Sequence, residues 1–126
     1  MHVLSERSKK NLQGVHPHMQ ALVEHALKVC TIDFAVIEGL RTIERQKQLV
    51  ASGASRTLNS RHITGHAVDL APWVAGTLRW DWPLFQPIAD AMKLAAAELR
   101  IPIVWGGDWR TFKDGPHFEL DKKVYP

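Results

Sequence analysis

Cysteine is nearly absent from this chain: Cys30 stands alone among 126 residues. No disulfide can form within the chain, which suits a reducing compartment. Cys30 shares an apolar helical spacing with Leu22, Val23, Ala26 and Leu27, so it is expected to be a buried structural thiol rather than a nucleophile. No apolar run approaches the ~20 residues that a membrane span requires, so stable membrane insertion is not expected. Lysine and arginine are scattered, the net charge is only +3, and no basic arm for nucleic acid is visible. Internal repeats, low-complexity tracts and linkers are also missing. No basic segment followed by an apolar stretch opens the chain in the manner of a secretory signal.

What is present fits one domain, residues 1–126, long enough to bury a core without covalent staples. Hydrophobic residues make up 45% and charged residues 23%, which sets aside disordered and collagen-like readings. Five tryptophans are many for this length, and they divide between core packing and the lining of a groove.

The pattern predicts a short helix near Ser5–Leu12, then a helix opened by His16-Pro17-His18 and running to about Val29. Phe34–Glu38 reads as a strand broken by Gly39. Thr42 caps a helix over Ile43–Ala51 that ends at Ser52-Gly53. Residues 53–65 form a long polar loop, of the kind that carries function in small domains. Ala67–Ala71 alternates as a strand, Pro72–Trp82 is a loop or irregular hairpin, and Leu84–Leu99 is a strong helix. Ile103–Trp105 and Pro116–Leu120 complete the strands, with a turn at Gly106–Trp109. The expected architecture is α+β: helices packed on a small antiparallel sheet, with the polar motifs at one sheet edge.

Those motifs are Ser60-Arg61-His62-Ile63-Thr64-Gly65-His66-Ala67-Val68-Asp69 and Asp114-Gly115-Pro116-His117-Phe118-Glu119. Catalytic zinc takes three protein ligands and leaves one position for water. His62, Asp69 and His117 make such a set, drawn from a loop and two strands. His62 with His66, four apart, is the competing helical pair. Ile63 stands where that pattern needs Glu, and Gly65 with two β-branched residues opposes a helix. His66 is then either a substrate contact or a local hydrogen-bonding group.

A carboxylate is also needed to move protons between water and the leaving amine. Asp114, three residues before His117 across a Gly-Pro turn, is the favoured base. Glu119 is its rival, and shares a strand face with His117, where it could instead orient the imidazole. Arg41, at the mouth of a helix, could hold a substrate carboxylate bidentately or stabilise an oxyanion.

These residues together resemble the small zinc peptidases of the bacterial cell wall. That family joins D-Ala-D-Ala carboxypeptidases and dipeptidases to phage L-alanyl-D-glutamate endopeptidases, and shares its metal site with the hedgehog signalling domain. Its Ser-x-His, Gly, Ala-x-Asp pattern falls on Ser60, His62, Gly65, Ala67 and Asp69, and its acidic residue and His on Asp114 and His117. The Arg of its Gly-Tyr-Arg-Ser/Thr stretch falls on Arg41, followed by Glu44-Arg45-Gln46. Trp105-Gly106-Gly107-Asp108-Trp109 resembles the endolysin branch. Two departures stand out: Leu40 replaces the usual Tyr, and Asp114 replaces the Glu of the carboxypeptidases.

The resemblance implies zinc held by His62, Asp69 and His117, catalysis by Asp114 and Arg41, and substrate contacts from Ser60, Gln46 and His66. It implies an endolysin cutting the L-alanyl-D-glutamate bond of peptidoglycan. The expected protein is a monomer stored in the host cytoplasm and released through a separate pore-forming partner. The alternatives are a D-Ala-D-Ala carboxypeptidase and an inactive, metal-stabilised binding module.

Overall fold

The computed structural model describes residues 2–126. Two short helices enter first: α1 (Glu6–Asn11), capped by the Ser5 hydroxyl, and α2 (Pro17–Val29), whose first residue is a proline that needs no amide partner there. Strand β1 (Asp33–Glu38) leads to α3 (Ile43–Ala51), where the Thr42 hydroxyl accepts the Arg45 amide hydrogen bond. Then come β2 (Ala67–Val74), β3 (Thr77–Leu78), α4 (Phe85–Leu99), β4 (Ile103–Trp105) and β5 (His117–Leu120). The architecture is the expected α+β one.

The sheet is antiparallel throughout, in the order β1-β2-β5-β4, with β3 folded back on the end of β2. Strand β2 runs three residues beyond the expected Ala71. Its proline is tolerated because Leu70 donates to Pro116 while Pro72 accepts from Arg79 on that same side. The missing N–H of Pro72 thus points past the end of β5 and costs β1 no hydrogen bond.

Alternation in β2 and β5 divides the molecule into an apolar side and a polar side. Val68, Leu70, Phe118 and Leu120 face the core, where α2 supplies Met19, Leu22, Val23, Ala26 and Leu27, and α4 supplies Phe85, Ile88, Ala89, Met92 and Ala95. Each of the larger side chains removed from water stabilises the fold by about 1.5–3 kcal/mol. Cys30 lies in this core, and burial raises its thiol above the ordinary range, as a structural role requires. Asp69, His117 and Glu119 fall on the opposite face, and the register sets Asp69 directly across from His117.

Candidate metal centre

Each of the three expected ligands is fixed from a different direction. His62 belongs to the turn that ends the long loop, where its amide donates to the Ser60 hydroxyl and its carbonyl accepts from the Arg41 amide. Gly65 closes that turn at φ +77°, and a Cβ there would meet the Gly14 carbonyl oxygen at 2.8 Å. Only glycine suits both demands. Asp69 and His117 arrive on paired strands. One ligand atom from each of the three lies within 4.8 Å of the others.

Proton placement shows what this arrangement wants. The His62 Nδ1 is 2.9 Å from the Gly39 carbonyl oxygen, which can only accept, so Nδ1 carries the proton. The His117 Nε2 is 2.8 Å from Glu119 Oε1, and the same reasoning puts its proton there. Both remaining ring nitrogens turn to Asp69 Oδ1, His62 Nε2 at 3.3 Å and His117 Nδ1 at 3.5 Å. With neutral rings, two lone pairs and an oxygen anion converge on one point. Asp69 Oδ1 is buried without a hydrogen-bond partner among the described residues. Such a cluster could hold a metal ion, and two imidazoles with a carboxylate are donors that zinc accepts.

The electrostatics agree. Burial opposes a charge on His117, yet Asp69 and Glu119 outweigh it and push its pKa up to about 9. Burial likewise opposes the Asp69 carboxylate, but His117 and His62 hold it well below the usual carboxylate range.

A cavity of about 610 Å³ opens over this cluster, and Arg41, Ser60 and Asp114 line it with the ligands. The Asp114 amide donates a hydrogen bond to the Gly106 carbonyl, and the Asp114 carbonyl accepts one from the His117 amide. A Cβ on Gly106 would come within 2.4 Å of the Asp114 carbonyl oxygen, which explains a glycine in the approach to β5. Burial raises the Asp114 carboxyl, and the nearby Asp69 charge raises it further, while His117, His62 and Arg41 partly offset both. That upward shift, opposite to those of Asp69 and Glu119, is the direction useful to a proton shuttle.

Arg41 is more committed than its position in the sequence suggests. Its Nε donates to Glu38 at 2.7 Å and one Nη to Gln46 at 2.7 Å, with Ser60 at 3.5 Å. The other Nη stands 3.8 Å from Asp69 Oδ2. A bidentate grip on a substrate carboxylate would break bonds already made, whereas one nitrogen remains for a single oxygen.

Two of the expected substrate contacts stand elsewhere. Gln46 is fully buried, and its amide bonds Arg41, the Ser55 hydroxyl and the Thr57 carbonyl, so it positions the arginine and the loop. His66 lies outside the cavity lining; its Nδ1 bonds the Thr64 hydroxyl at 2.6 Å and its ring neighbours His16. For His66 strand alternation explains the shift, since it precedes β2 and is out of phase with Asp69. Sequence reading missed the Gly39 carbonyl, which sets the His62 tautomer, and Trp109, whose ring lies 5.1 Å from that of His117. A carbonyl carries no sequence signal; Trp109 sits in a motif singled out already.

The family model for phage L-alanyl-D-glutamate peptidases matches residues 1–125. The chain belongs to this family. Its relatives include the L-alanyl-D-glutamate peptidase of Escherichia phage T5, 34% identical over 124 residues, covering 95% of this chain and 90% of that protein. Another is the peptidoglycan L-alanyl-D-glutamate endopeptidase CwlK of Bacillus subtilis, 29% identical over 102 residues, 71% of this chain and 61% of that one. Among solved structures, the Serratia marcescens L-Ala D-Glu endopeptidase ChiX superposes with a TM-score of 0.94 at 46% identity, covering 99% of this chain and 94% of that one.

Proposed function

We propose that this chain is a zinc-dependent peptidoglycan endopeptidase that hydrolyses the bond between L-alanine and D-glutamate in the stem peptide. The observation that carries the metal part is the convergence of two imidazole lone pairs on the buried, unpartnered Asp69 oxygen. The names of the relatives carry the choice of bond.

His62, Asp69 and His117 would hold the ion. When bound, zinc lowers the pKa of water to about 7 and polarises a carbonyl oxygen. Asp114 takes the proton of the attacking water as its oxygen bonds to the alanyl carbonyl carbon. The free Arg41 nitrogen supports the negative charge that gathers on the carbonyl oxygen. The carbon–nitrogen bond then breaks, and Asp114 hands its proton to the departing glutamate amine. One product ends in an alanine carboxylate, and the other begins with D-glutamate. Ser60, at the cavity wall, is available to the substrate backbone.

The biological setting follows from the same reading. Residues 1–126 act as one catalytic domain and as a monomer, on a polymer outside the membrane. No helix among the described residues is long and apolar enough to cross a membrane. The protein is held in the host cytoplasm and reaches the wall through a separate pore-forming partner at lysis.

The test is digestion of purified sacculi with mass analysis of the products. New N-terminal D-glutamate, lost on chelation and restored by zinc, is the expected result. Asp114→Asn should keep zinc and fold while losing about two or more orders of magnitude in turnover. Free D-alanine as the sole product would refute the choice of bond and leave the metal centre standing.

A further inference from the structure

The cavity carries more positive charge at its mouth than the hydrolysis uses. Of its cations, Arg41 is bonded to Glu38. Of its carboxylates, Glu119 faces His117 and Arg61, and Asp69 faces the two ligand histidines. Arg56 and Lys113 also line the cavity, and neither has an acidic partner among the described residues. They come from opposite banks: Arg56 from the long loop after α3, Lys113 from the segment before β5.

The two banks touch through Arg56 and Phe112. The Arg56 guanidinium carbon sits 3.7 Å from the centre of the Phe112 ring. Phe112 has φ +53° and leaves 65% of its surface in water. A bulky residue in the left-handed region, presenting an exposed ring, gains little for the core. What it provides is a flat platform that holds a guanidinium at the cavity mouth by cation–π attraction. The planar edge of Arg56 stays free for a carboxylate, with the Lys113 ammonium as a second positive charge.

The substrate in the proposed reaction has a matching group. A glutamate residue carries two carboxyls, and the stem peptide continues through one of them. The other remains a free carboxylate a few bonds from the nitrogen that is released. We propose that Arg56, seated on Phe112, and Lys113 form the subsite for that carboxylate, and so make the free acid of the residue after the cut a specificity determinant. This rests on the reading of the chain as an L-alanyl-D-glutamate endopeptidase. It assigns the carboxylate to the cavity mouth and leaves Arg41 to the reacting carbonyl.

The test uses the zinc-loaded protein and two synthetic stem peptides, alike except that the glutamate carboxyl through which the peptide does not continue is a free acid in one and a carboxamide in the other. The free acid is expected to have a KM lower by about tenfold, with kcat little changed, the scale of one charge-assisted hydrogen bond. In Arg56→Gln/Lys113→Gln the KM for the acid should rise to that for the amide, and amide kinetics should stay as in wild type. Phe112→Ala should lose part of the preference. Equal KM values in wild type, or a double variant impaired equally on both peptides, would overturn the subsite while the endopeptidase reading survives. If neither peptide is cut, calorimetric binding of the same pair decides the matter. A preference for the acid that vanishes in the double variant keeps the subsite and sinks the reaction; equal binding sinks the subsite too.

Discussion

Two groups of histidines differ in almost everything except residue type. His62 and His117 are buried, and each has one ring nitrogen tied to an obligate acceptor and the other aimed at Asp69. His16, His18 and His66 gather with Tyr125 at the surface, with ring centres 4.9–5.7 Å apart along the chain of contacts His18–His16–His66. There His16 Nδ1 accepts the His18 amide, His18 Nδ1 meets the Tyr125 hydroxyl, and no carboxylate joins them among the described residues. Proximity of imidazoles is therefore not what makes a metal centre. A fixed tautomer, a desolvated anion and exclusion of competing water make it.

The strongest way to break this contrast is to remove one ring from each group. His117→Ala should abolish zinc binding and with it essentially all hydrolysis, whereas His66→Ala should keep about one zinc per chain, on the four-coordinate rule. Metal analysis of both purified variants decides it. Equal zinc in both would mean that the buried cluster is not the centre.

A subtler test spares the ligands and takes away what orients one of them. Glu119→Gln can still accept from His117 Nε2 but no longer supplies the charge. It should weaken zinc affinity by roughly 10–100-fold, the usual size for an outer partner of a ligating histidine. Competition with a chromogenic chelator would measure it, and an unchanged affinity would make Glu119 a bystander.

The smallest effect separates the groups by pH. Burial, with the charges of Arg61 and His16, lowers the pKa of His66 below its ordinary 6.5. A histidine with a depressed folded pKa favours the fold above 6.5, and that contribution fades as pH falls through the lowered value, because the unfolded chain takes the proton first. The melting temperature of the zinc-loaded protein should thus slip slightly below pH 6.5, and His66→Asn should flatten that part of the profile. A slope unchanged in the variant would place the titration elsewhere.

How far the sequence disclosed this depended on whether a signal was local. Periodicity and caps defined the helices to within a residue or two, since Ser5, Thr42 and Pro17 act on their own turns. The expected ligands His62, Asp69 and His117 were legible from residue type and strand alternation, and the structure brings them together. Direction across the loop was not legible. Gln46 and His66 sit near the motif in sequence, but one is turned inward by Arg41 and the other lies beyond the turn. Arg56 and Phe112 gave no pattern at all, because their contact joins two irregular segments through space. The extension of β2 through Pro72 was hidden for a similar reason: a proline's cost depends on which neighbour its nitrogen faces.

The pairing of Asp69 with His117 has a consequence for how the protein matures. A slip of β5 by one residue would turn His117 into the core and set Phe118 where the ligand belongs. A misregistered sheet would therefore have no place for the proposed ion, and a correct one would be captured by it, since binding only the native arrangement adds to its stability. The metal would act as an inspector of assembly: a chain that has not closed its sheet in the right register remains a hydrolase without teeth.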